Sequence, residues 1–122
     1  MLVPCYPRGL GFGTVVGSRS LEGRCTWQHY WANAVDVPGP ATEALGKVAR
    51  ETNTYLVVGV IERDTQFGGG TLYCTMRYFG PEGELMGKHR KLKPTAAKRL
   101  IWGEGDGSIM TVIDTEFGTN LR

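Results

Sequence analysis

Six lysines and arginines fall within the twelve positions from Lys88 to Arg99, in the run "KHRKLKPTAAKR". Three chemistries could use such a run. Cations can hold the phosphates of a nucleic acid, with nearby aromatics stacking on bases. They can be a solvated charged loop. Or one lysine can sit in a dry site, where a preorganised ammonium stabilises a developing anion far better than it would in water. Pro94 interrupts the run, and Glu82, Glu84, Glu104 and Asp106 flank it. Those acids would repel phosphate, so nucleic acid is not the expected partner.

The overall charge of +2 hides how local the positive charge is. Outside that run, eight basic residues face twelve acidic ones. Three cysteines (Cys5, Cys25 and Cys74) and two histidines (His29 and His89) lack the close spacing of a metal site. A metal site is therefore not expected. No apolar run reaches the roughly 18 residues of a membrane span. Met1 to Pro4 is too short an apolar start for a secretory signal. A cytoplasmic protein without membrane contact is the expectation.

At 122 residues the chain has the size of one domain, with no repeats and no linker. Residues 1–20, rich in glycine with Pro4 and Pro7, read as a long ordered loop. Trp27, Tyr30, Trp31 and Ala34 recur at helical spacing and predict a helix over Gly23–Val35 with a buried aromatic face. Pro40 suits the first turn of a second helix. Ala41, Ala44, Leu45, Val48 and Ala49 form its apolar stripe, and Asn53 its C-terminal cap. Tyr55–Arg63 reads as a strand buried on both faces. Thr71–Phe79 and Glu84–Arg90 read as a hairpin, and Ile109–Thr115 as a last strand. Helices alternating with buried strands predict an α/β layered fold.

Five segments together carry a further signal: "YPRG", "VPGPATEALGKVARETNTYLVVGVIER", "TLYCT", "GELMGKHRKLKPT" and "RLIWGEGDGS". In combination they resemble the nitrilase family of carbon–nitrogen hydrolases, over about Tyr6 to Gly118. The resemblance implies a four-layer α-β-β-α sandwich, of which residues 1–122 would be one partial domain. It also implies a cysteine nucleophile, a glutamate base and a lysine that together hydrolyse a nitrile to a carboxylic acid and ammonia, without a metal or organic cofactor. By that resemblance Lys91, the lysine following "GKHR", is the catalytic one. Tyr6, Pro7 and Arg8 would lie near the substrate pocket, and His89 would pin the strand end beside it.

The departures from the family pattern are equally specific. The glutamate motif lies upstream of "YPRG" in relatives, where this sequence has only Met1 to Cys5. The cysteine motif lies beyond Arg122. No residue is therefore assigned to either role, and Cys5, Cys25 and Cys74 are not expected to substitute. Cys74 reads as a packing residue within a strand. Lys98 stands where relatives carry a carboxylate, which places a like charge near Lys91. Arg77 occupies a strand position where an apolar residue is expected, a costly place for a guanidinium. The expectation is a central nitrilase fragment, inactive by itself. It could self-associate as relatives do, or serve as an interaction partner of a complete homologue.

Overall fold

The computed structural model describes residues 20–121. In chain order the elements are α1 (Leu21–Ala32), β1 (Val35–Asp36), α2 (Pro40–Thr52), β2 (Leu56–Asp64), β3 (Thr71–Phe79), β4 (Leu85–Arg90), β5 (Val112–Thr115) and β6 (Gly118–Leu121). Short 3-10 turns at Ala96–Leu100 and Gly107–Ile109 lie between β4 and β5. β1 to β4 form one mixed sheet in sequence order, with β1 parallel to β2 and the rest antiparallel. β5 and β6 form a separate hairpin. The result is the α/β layering expected: two helices on a mixed sheet, as in part of an α-β-β-α sandwich. No helix among the described residues is long and apolar enough to cross a membrane.

Local signals account for the helix ends. The Ser20 hydroxyl accepts from the Gly23 N–H and caps α1. α1 stops at Ala32, earlier than the aromatic spacing suggested, because Asn33 caps it and Val35 already pairs with Glu62 in the sheet. Its aromatic face is also less buried than expected. Tyr30 is buried, but Trp27 remains 38% exposed and stacks on Trp31. Trp31 in turn lies over the Arg63 guanidinium, which forms a bidentate pair with Asp36 at 2.8 and 2.9 Å.

α2 begins at Pro40 and ends on Asn53 in the left-handed region (φ 48°), as the sequence indicates. Its buried stripe is rotated from the one expected. Thr42, Leu45, Gly46 and Ala49 face inward, while Ala44 and Val48 are exposed. The cause is a backbone contact with the β3–β4 turn. A Cβ on Gly46 would lie 2.6 Å from the Gly83 carbonyl oxygen, so α2 docks through its glycine.

The alternation of side chains along β2 and β3 assigns two faces to the sheet. On one, Leu45, Ala49 and Phe79 form a core with Leu56 and Val58 beneath α2. On the other, Ile61, Leu72, Ile101 and Trp102 pack with Tyr30 and Ala34 of the α1 region. Trp102 donates to the Tyr30 hydroxyl at 3.0 Å within that core. This second layer reaches only one end of the sheet. β2 is thus not buried on both faces as expected, and Val57 remains 55% exposed. β5, expected as the last strand, starts later than expected and is followed by β6, which pairs with it. Asp106 caps a 3-10 turn at Gly107–Ile109, and extended pairing begins at Val112.

On the face of the sheet that carries α2 lies a charged cluster. Glu62 is 1% exposed and accepts from Thr75 at 2.7 Å, Lys88 at 2.8 Å and Arg90 at 2.7 Å. Arg90 also reaches Asp64 at 3.1 Å and stacks on Tyr73. Burial pushes the Glu62 carboxyl up, but hydrogen bonds from Arg90, Lys88 and Thr75 outweigh it. The pKa falls from 4.5 to about 2. A carboxyl lowered on folding contributes stability above its unfolded pKa, and that contribution disappears as pH falls toward the folded value. Urea titrations from pH 5 down to pH 2.5 should show a loss on the order of 3 kcal/mol in this window. In Glu62→Gln the neutral-pH stability should drop and this part of the acid dependence should vanish. An unchanged acid slope in that variant would refute the assignment.

Candidate active site

The strand period of two sorts the basic run. Lys88 and Arg90 have the same parity and lie opposite Arg77 and Thr75 of β3, on the α2 side. Both end on Glu62. His89 and Lys91 have the other parity and point to the opposite face. Lys91 continues the ladder one residue past β4. Its N–H donates to the Cys74 carbonyl at 2.8 Å, and its own carbonyl accepts from Gly105 at 3.0 Å. The backbone of Lys91 is thus held between β3 and the "GEGDGS" loop. Gly105 is needed there, because a Cβ would lie 2.6 Å from the Arg90 carbonyl oxygen.

The half-buried Lys91 lines an open pocket of about 500 Å³ with Gly59, Cys74, Met76, His89 and Leu92. Lys93 also borders it, but its ammonium pairs with Glu104 at 2.5 Å in solvent. His89 Nδ1 is buried without a hydrogen-bond partner among the described residues. Along the same face, Met76 links this pocket to an apolar trough of about 350 Å³ bounded by Tyr55, Val57, Tyr78, Met86 and Ile113. An ammonium beside apolar walls can stabilise negative charge that forms on a bound substrate, since little water competes for it.

The expected site residues distribute as follows. Lys91 and His89 come together at one pocket, with Cys74 across the ladder from Lys91. Cys74 also packs against the Ile61–Trp102 core, in keeping with a packing role. Tyr6, Pro7, Arg8 and Cys5 lie outside the described residues. Lys98 sits over the Trp102 ring at 5.9 Å. Among the described residues, no three His, Cys, Asp or Glu side chains group closely enough to hold a metal ion. The anchoring role of Glu62 was missed from sequence. Its one local trace is an acid at the parity of Val58 and Val60; the two cations that meet it lie on β4, with β3 between.

A family model described as carbon–nitrogen hydrolase matches residues 15–121. The chain is 51% identical over 113 residues to Nitrilase 2 of Arabidopsis thaliana, covering 93% of this chain and 32% of that protein. It is 52% identical over 114 residues to an aliphatic nitrilase of Sinorhizobium fredii, covering 93% of this chain and 35% of that protein. The chain thus spans about a third of the length of these relatives. Among solved structures, Saccharomyces cerevisiae Nit3, a member of branch 10 of the nitrilase superfamily, superposes with a TM-score of 0.56 at 20% identity. The match covers 75% of this chain and 34% of that one. An N-terminal amidase gives a TM-score of 0.56 at 19% identity, over 74% of this chain and 21% of the other. At such identities these structures speak for the fold.

The split of the basic run between two faces gives a stability test. Arg90→Ala strips Glu62 and Asp64 of a partner and should cost roughly 3 kcal/mol, with Lys88→Ala costing less. Lys91→Ala should change stability by no more than about 0.5 kcal/mol. Urea midpoints of the three variants decide it. A Lys91→Ala loss equal to that of Arg90→Ala would place the amine in the structural cluster instead.

Proposed function

We propose a function from one premise: this chain belongs to the carbon–nitrogen hydrolase family. Its role is to supply the lysine of a nitrile-hydrolysing site, with Lys91 as that lysine. The observation that carries the reading is the placement of Lys91. Its backbone is fixed on both sides, and its side chain borders a mainly apolar pocket on the face opposite the ion-paired Lys88 and Arg90.

The chemistry follows from the electrophile. A thiolate adds to the nitrile carbon, one carbon–nitrogen π pair moves onto nitrogen, and that nitrogen takes a proton to give a thioimidate. One water adds to this carbon and ammonia leaves. A second water then releases the carboxylic acid and regenerates the thiol. Negative charge develops on nitrogen in the first step and on oxygen in the later ones. Lys91 stabilises both as a fixed cation. The thiol and the glutamate base have no assigned residue within 1–122, so the chain alone is a partial site. His89 orients the strand end next to Lys91.

A second reading rests on the apolar trough lined by Tyr78 and Met86 beside the exposed Val57. An apolar surface of this kind favours association, either with another copy or with a complete homologue. In that reading the chain is a non-catalytic binding partner. A stoichiometric complex with a complete nitrilase by size exclusion would favour it.

The catalytic reading is tested by exchange. Residues 15–121 should replace the matching third of Arabidopsis thaliana Nitrilase 2, and ammonia release from aliphatic and aromatic nitriles should be measured. The chimera should turn over, and Lys91→Ala within it should lose activity on the order of 10³-fold or more. The chain by itself should release no ammonia. A Lys91→Ala chimera with undiminished turnover would overturn the role given to Lys91.

A further inference from the structure

Arg77 is the charge that neither the site nor the Glu62 cluster uses. It is 1% exposed, yet Nε and Nη1 have no hydrogen-bond partner among the described residues. The two acids on its side of the sheet are already engaged. Glu62 takes Thr75, Lys88 and Arg90. Asp64 takes Arg90 and the backbone N–H groups of Gln66 and Phe67. A buried guanidinium left uncompensated is costly, and Arg is the side chain whose planar fork best matches a carboxylate or phosphate.

Arg77 borders a cavity of about 460 Å³ between α2 and the β3–β4 hairpin. Lys47, paired with Glu51 at 3.6 Å in solvent, and Arg50, whose Nε donates to the Glu82 carbonyl at 2.7 Å, also border it, and Glu43 is the one carboxylate of the lining. The polar group of Thr42 is occupied, donating to the Gly39 carbonyl and accepting from the Gly39 N–H. Gly46 and Gly83 contribute backbone to the wall. The lining therefore carries a surplus of cations, the most buried of which has unmet donors.

We propose that this cavity is an oxyanion site, in which Arg77 binds a small carboxylate or phosphate with Lys47 and Arg50 at the rim. It lies on the opposite face of the sheet from Lys91, so its ligand is not the substrate of the proposed reaction. The ligand supplies the counter-charge that the fold leaves Arg77 without, and binding ties α2 to the hairpin.

Thermal unfolding of the chain in sodium acetate and in inorganic phosphate, against sodium chloride at matched ionic strength, tests this. One or both oxyanions should raise Tm saturably, by about 5 °C at roughly tenfold excess over Kd. The active anion distinguishes carboxylate from phosphate chemistry. Arg77→Leu should abolish the rise, and Glu43→Gln should preserve or strengthen it. A second measurement needs no variant: amide resonances of Gly46 and Gly83 should shift with the active anion. No saturable rise beyond chloride with either anion would overturn the proposal. So would an equal rise in Arg77→Leu, or loss of the rise in Glu43→Gln. Unmoved Gly46 and Gly83 amides at saturation would do the same.

Discussion

The Glu62 carboxylate, shut away from water on the face of the sheet that carries α2, ties three strands together. It takes a hydroxyl from β3 and two cations from β4 while lying on β2 itself. A carboxylate in that position is tolerable only because its lone pairs are filled by charged and neutral donors. The same bonds decide which of the clustered cations are unavailable for chemistry. With Lys88 and Arg90 drawn to one side, strand geometry sends Lys91 to the other. The separation of a structural face from a candidate catalytic face is thus a consequence of pleat and charge pairing acting together.

Arg77 shows how expensive the same face is when pairing is incomplete. Burial lowers its pKa, the charge of Glu62 raises it, and Arg90 lowers it again. Electrostatic proximity to Glu62 does not satisfy its nitrogens, whose hydrogen bonds must come from elsewhere. Two basic residues on the same face of the sheet, the buried Arg77 of β3 and the half-buried Arg90 of β4, therefore have different fates. Arg90 is a member of a closed network, while Arg77 keeps Nε and Nη1 without an acceptor among the described residues.

Much of this was legible in the sequence, for identifiable reasons. β3 was read with its observed bounds, and the α2 start and cap were clear, because Pro40 and Asn53 act locally. The burial cost of Arg77 was readable from its apolar strand context. What failed depends on layers meeting at a distance. The rotation of the α2 stripe comes from Gly83, 37 positions from Gly46. The short β1 was hidden by a helical pattern running to Val35, and its pairing with Glu62 cannot be seen locally. β2 was read as fully buried because its residues are apolar, whereas burial there depends on what lies over each face. For the candidate site, Lys91 and His89 were placed together by resemblance, while the role of Glu62 required knowing which strands adjoin.

The paired glycines at the α2–hairpin contact limit how this region can change. A Cβ on Gly46 would meet the Gly83 carbonyl at 2.6 Å, and one on Gly83 would meet the Gly46 carbonyl at 2.5 Å. Gly83 also has a φ of +80°, which side-chain-bearing residues rarely adopt. Neither position can accept a larger residue to relieve the other, because each obstacle is main chain. An insertion or deletion in the "GPEGE" turn would likewise move one carbonyl away from its seat. Drift in this part of the chain is therefore confined to residues that leave the spacing of helix and turn unaltered.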